Sequence, residues 1–143
     1  MQNENVSSLM LADHAVILGL LSAMEESDEK SLLDSFERFK WKLELHMLIE
    51  ERLIFTAPSF SNKSTDMIAQ IVDEHKMILA MLSSMERQLL SGNLKLVIDD
   101  FKELLDAHRL FEDKELYPRL DGELEGSTKA FIIEQLKTRL FPN

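Results

Sequence analysis

A glutamate four residues behind a histidine, on a stripe that is otherwise apolar, occurs twice in this chain. No other feature restricts its fold so tightly. In WKLELHMLIEERLIFTAP the pair is His46 and Glu50, and in HRLFEDKELYP it is His108 and Glu112. Four residues of α-helix advance about 400°, so the two members of a pair share one face, a turn apart. Phe39, Leu43, Ile49 and Leu53 stand at helical spacing around His46, and Phe101, Leu104, Leu105 and Phe111 around His108. Each pair is preceded by a histidine behind an acid, Asp13-His14 and Glu74-His75, at intervals of 32 and 33 residues. The chain reads as one unit used twice, offset by 61 residues, and all four histidines belong to it.

The rest of the chain predicts helices that carry this pattern. Ser7 or Ser8 is expected to cap a first helix reaching Glu25, with Met10, Leu11, His14, Ile17, Leu18 and Leu21 as its buried stripe. A second helix runs to about Phe55 and is ended by Pro58. Ser64 or Thr65 caps a third, which ends near Leu90 with Gly92 just beyond it. Its stripe is Ile68, Ile71, His75, Ile78, Leu79 and Leu82. Asn93 caps a fourth helix that stops at Pro118. After a polar linker, DGELEG, Ser127 opens a short amphipathic helix with Phe131, Ile132 and Leu136. No strand-like alternation appears, and short links make successive helices antiparallel neighbours. The expected fold is all-α, an up-down-up-down four-helix bundle with a short C-terminal fifth helix, in one domain spanning residues 1–143.

Composition narrows the function. A net charge of −10 argues against nucleic acid, whose phosphates need a basic footprint, and against an anionic membrane surface. The chain has no cysteine, which excludes disulfides, thiolate zinc sites and cysteine-bound clusters. The N-terminus lacks the basic start of a signal peptide, and no apolar run is read as approaching a membrane span. A soluble, cytoplasmic protein is the expectation.

A single histidine on an apolar face is more often a hydrogen-bonded core residue than a ligand. Four of them, with two inward glutamates at near-equal intervals, need a common explanation. Burying each neutral group without a partner costs about 1–3 kcal/mol, and each carboxylate more. The whole fold has only about 5–15 kcal/mol in hand. A metal compensates them directly. Two cations, four imidazole nitrogens and two carboxylates able to bridge make a consistent count, with room for an oxygen-derived bridge. Mixed nitrogen and oxygen donors suit iron, manganese or zinc rather than calcium or magnesium.

These residues resemble the hemerythrin-like, or HHE cation-binding, family: His14, His46-x3-Glu50, His75 and His108-x3-Glu112, with the tails IF-TAP and LYP. The resemblance covers the chain through Pro118. It implies a non-haem centre of two iron ions, oxo- or hydroxo-bridged, with these six residues as ligands and Glu50 and Glu112 bridging; other divalent transition metals fit the same donors. Two departures from the oxygen-carrying hemerythrins stand out. Leu79 replaces their second third-helix histidine, and Glu112 competes with Asp113 for one bridging role. Glu112 is preferred on helix geometry and its match to Glu50. Glu51 is read as a solvated residue or auxiliary ligand. Trp41 and Tyr117 are expected to pack at the bundle's ends.

Ferritin-like di-iron proteins use Glu-x-x-His, but Leu11, Leu43, Val72 and Leu105 stand three residues before the histidines. HExxH is absent. The expected function is binding or sensing of a small ligand such as dioxygen or nitric oxide, or iron handling. An enzyme reducing peroxide or nitric oxide at the same centre is the first alternative. A structural metal site in a module that docks a protein partner is the second. With Leu79 in place of a third histidine, the iron is expected to oxidise in air without a long-lived oxygen adduct.

Overall fold

The computed structural model describes residues 4–61, 64–92 and 98–142. Among them every regular element is helical. The helices are α1 (Val6–Glu26), α2 (Leu32–Ile49), α3 (Pro58–Ser61), α4 (Thr65–Leu90), α5 (Ile98–Phe111), α6 (Tyr117–Glu123) and α7 (Gly126–Leu140). Two π-helical turns, Glu50–Ile54 and Glu112–Leu116, continue α2 and α5 without a break. The expected Asn93 cap lies outside the described residues.

The apolar residues form two clusters. One holds Met10, Ile49, Ile71 and Leu116 with Ile132 and Leu136 of α7. The other holds Ile17, Leu43, Ile78 and Leu105 with Phe36, Phe39 and Phe101. Along each of α1, α2, α4 and α5 the histidine falls between a residue of one cluster and a residue of the other. The order of the clusters reverses from each of these helices to the next. The imidazoles thus form a polar layer between two apolar ones.

Several local expectations are corrected. The N-cap of α1 is Asn5, whose side chain accepts from the Ser8 N–H while the Ser8 hydroxyl accepts from the Asn5 N–H. The Val6 and Ser7 N–H groups donate to the two carboxylate oxygens of Asp121, at 2.9 and 3.0 Å. A residue over a hundred positions away therefore completes this helix start and places a negative charge at its positive end. Pro118 does not stop the fourth long helix. It sits in the first turn of α6, where a missing N–H costs little, and the chain stays helical to Glu123. Much of the supposed DGELEG linker is therefore helix, and only Leu124 and Glu125 separate α6 from α7.

Leu11 and Phe131 face outward, and Trp41 is 64% exposed rather than packed at an end. Leu79 also lies on the exposed side of α4, at 37%. Gly92 behaves as expected: its φ of 88° ends α4 in the left-handed conformation. The expectation about apolar runs does not hold for α1, which is long and apolar enough to cross a membrane, with a mean hydropathy of 1.6 over its best window. Its inner face, with Asp13 and His14, packs on α2, α6 and α7.

Asp121→Ala should lower stability by about 1–2 kcal/mol in urea unfolding, because two N-terminal amides lose their acceptor. Ser7→Ala should change it by less than about 0.5 kcal/mol.

Candidate metal centre

The two π turns begin at the two glutamates. The Phe55 N–H donates to the Glu50 carbonyl at 2.8 Å, and the Tyr117 N–H to that of Glu112, each spanning five residues rather than four. On an α-helix a residue five positions on would stand about 140° round the axis. The wider turn brings it back to the inner face. Phe55 and Tyr117 are both buried as a result. They hold equivalent places in the two repeats, yet only one carries a hydroxyl.

Each histidine is oriented by a carboxylate from the helical stretch before it, with α4 followed by α5 and α5 by α1. Asp13 on α1 accepts from His46 Nδ1 on α2 at 2.6 Å. Glu51, in the π turn after α2, accepts from His75 Nδ1 on α4 at 2.7 Å. Glu74 on α4 accepts from His108 Nδ1 on α5 at 2.6 Å. Asp113, in the second π turn, accepts from His14 Nδ1 on α1 at 2.8 Å and closes the circuit. All four acids adjoin a histidine or glutamate of the repeated motif in sequence. A carboxylate can only accept here, so each ring presents Nε2 to the interior.

The six residues singled out from the sequence come together, and all are buried. They form two groups that share Glu112: His14, His46 and Glu112, and Glu50, His75, His108 and Glu112. Glu112 Oε1 lies 3.1 Å from His14 Nε2, and its Oε2 lies 3.2 Å from His108 Nε2. Glu50 Oε1 lies 3.1 Å from His75 Nε2. Asp113 and Glu51 stay outside, each behind a histidine. Leu79 does not reach the groups.

Charge in the cluster is tightly coupled. Burial alone would lower the His46 pKa, but the charge of Glu50, the hydrogen bond with Asp13 and the nearby Glu112 carboxylate drive it well above the ordinary value. His75 is raised against its burial by Glu50 and Glu51. His108, also against burial, is raised to about 9 by Glu112, Glu50 and Glu74. Burial and the charge of Glu112 push Glu50 upward. Glu112 is held well below the usual carboxylate range despite burial, by its interactions with Glu50 and with His108, His14 and His46 around it.

Four buried atoms, Glu50 Oε1, His75 Nε2, His108 Nε2 and Glu112 Oε2, find no hydrogen-bond partner among the described residues. Their four residues make up one group, each offering a ligand atom within 4.8 Å of the others'. Two imidazole nitrogens and two carboxylate oxygens converging on one another without hydrogen-bond geometry fit a transition-metal cation.

Two residues of the site escaped the sequence reading. Tyr117 is fully buried, and its hydroxyl donates to Glu50 Oε2 at 2.8 Å instead of packing at an end. The available signal was an aromatic at the fifth position after both glutamates. Lys42 is also buried: its Nζ lies 2.7 Å from Asp13 Oδ1 and donates to the Leu140 carbonyl at 3.3 Å. Nothing in a lone lysine on an amphipathic helix marks it. A cavity of about 10 Å³ adjoins His14, His46, His108 and Glu112 and is also lined by Arg109 and by apolar residues, among them Ile17, Leu43, Met47 and Leu105.

A family model described as Hemerythrin HHE cation binding domain matches residues 5–120. No curated protein and no solved structure matches the chain. The match takes in both glutamates, all four histidines and all four orienting acids, and the chain belongs to the hemerythrin HHE cation-binding domain family.

Proposed function

We propose that this protein holds two iron ions in a non-haem centre and uses them to bind or sense a small ligand such as dioxygen or nitric oxide. The observation that carries the reading is the set of four unpartnered donor atoms in one group, joined through Glu112 to a second group. His14, His46, His75 and His108 would supply nitrogen and Glu50 and Glu112 oxygen, Glu112 being the residue common to both groups. The reversing order of the apolar clusters supports an up-down-up-down arrangement of four helices in one domain. Cytoplasmic placement belongs to the same reading.

Iron, when bound, would supply the change of oxidation state and the affinity for a diatomic ligand. The chain does the rest. Four carboxylates hold the rings at one tautomer and orientation. Ile17, Leu43, Met47 and Leu105 help to wall a space of about 10 Å³ beside the donors, roughly the room of one water molecule. Sensing is preferred to carriage because each group has only two histidines, so neither ion is filled by imidazole.

Anaerobic loading of the full chain with ferrous iron should give about two irons per chain by elemental analysis, and no bound transition metal would sink the reading. Many turnovers on added peroxide or nitric oxide with a reductant would move it to an enzyme. Glu50→Ala and Glu112→Ala should each reduce the iron content. Asp113→Asn should leave iron binding in place but weaken it by about 10–100-fold, as loss of an orienting partner does. A larger loss from Asp113→Asn than from Glu112→Ala would reverse their roles.

The pKa directions give a second test. With His108 raised to about 9, and His46 and His75 raised in the same direction, the metal-free site holds an imidazolium at His108 at neutral pH. Metal must displace that proton, so affinity should fall as pH falls, with protons released on binding. Histidines raised on folding stabilise the fold fully below their unfolded value of about 6.5, and that contribution is lost as pH rises through the folded value. For His108 the folded value is about 9. The chelated protein should therefore melt at a lower temperature at pH ~9.5 than at pH ~7. The iron-loaded protein should show a smaller drop, because cations replace the protons.

A further inference from the structure

The two groups are unequal as amino-acid clusters: one offers four donors, the other only His14, His46 and Glu112. The Tyr117 hydroxyl stands at the vacant corner of the poorer group. It lies 3.2 Å from His14 Nε2, 3.3 Å from His46 Nε2 and 3.1 Å from Glu112 Oε1. The other three edges of this four-atom figure are 3.1 Å for His14 to His46, 3.1 Å for His14 to Glu112 and 3.7 Å for His46 to Glu112. Six edges of such similar length describe a near-regular tetrahedron. Its centre lies about 2.0 Å from every corner, the length of a bond from a transition metal to imidazole nitrogen or anionic oxygen.

We infer that Tyr117 is a metal ligand, its phenolate oxygen completing the His14, His46 and Glu112 group. The inference deepens the proposed di-iron reading and rests on it. On ligation the O–H bond is exchanged for an oxygen–metal bond, and the proton passes to Glu50 Oε2, 2.8 Å away. No electron is transferred in that step. Phe55, the equivalent residue of the other repeat, has no donor atom and instead stacks on His75 with ring centroids 6.4 Å apart. The two ions are therefore chemically distinct. The Tyr117 site carries a hard, anionic oxygen that favours trivalent over divalent iron, whereas the other site is completed by the Glu50 carboxylate.

Tyr117 is the only tyrosine in the chain, so a tyrosinate signal has a single source. The full-length protein, loaded with ferrous iron and then oxidised in air, is assayed for iron content and for visible absorption. Resonance Raman spectra are excited within the visible band. The expected result is a phenolate-to-iron charge-transfer band with tyrosine ring modes. Tyr117→Phe should lose both while still binding iron in the Glu50, His75 and His108 group. If that variant does not fold, fluorotyrosine incorporated into the wild-type chain serves instead and should shift the band. Iron bound at two per chain with no tyrosinate modes overturns this inference and leaves the di-iron reading standing. Failure of the wild-type chain to bind iron overturns both.

Discussion

The hydrogen bond from a histidine Nδ1 to a carboxylate, made four times, is the interaction on which this architecture depends. Each one crosses from one long helix to another, and together they close a circuit: Asp13 to His46, Glu51 to His75, Glu74 to His108, Asp113 to His14. A bond of this kind does two things at once. It ties two helices together at a fixed height, and it fixes which nitrogen of the ring faces the interior. Four imidazoles arriving at one level, between two apolar clusters, follow from those ties as much as from hydrophobic packing.

The π turns solve the complementary problem of bringing carboxylate and aromatic groups to the same interior. An α-helix offers inward positions at the fourth residue but not at the fifth. By widening immediately after Glu50 and Glu112, the chain keeps the glutamate beneath its histidine and also returns Phe55 and Tyr117 to the inner face. The repeat is thus preserved in backbone and broken in chemistry, with a phenyl ring on one side and a hydroxyl on the other.

This division explains what was legible in the sequence. His46-x3-Glu50 and His108-x3-Glu112 obey the helical period, and the period alone identified the inward residues. The all-helical class was readable for the same reason. Tyr117 was missed because its inward position obeys a period of five residues, which no hydrophobic stripe reveals. Asp13, Glu51, Glu74 and Asp113 were visible as acids beside the motif, but their role depends on which helices adjoin, a tertiary fact. Pro118 was misread because a proline in the first turn after a π segment costs the helix little. Leu79 and Phe131 were assigned inward from spacing, although the stripe on each helix is narrower than apolar composition implies.

Lys42 extends the electrostatics of the centre beyond the matched family region. Its ammonium lies against Asp13, which holds His46, and against the carbonyl of Leu140 at the end of α7, with the Phe141 ring 5.8 Å away. Residues 5–120 match the family, so α7 is supplied from outside that region. The negative end of its dipole helps to solvate a buried cation two contacts from a ring nitrogen of the site. Unwinding the last turn of α7 would withdraw that carbonyl and let Lys42 lean more fully on Asp13, drawing electron density away from His46. The basicity of one ring is in this way linked to α7 through Lys42 and Asp13. Sequence drift in the tail can retune the grip on a cation without altering any residue of the donor set.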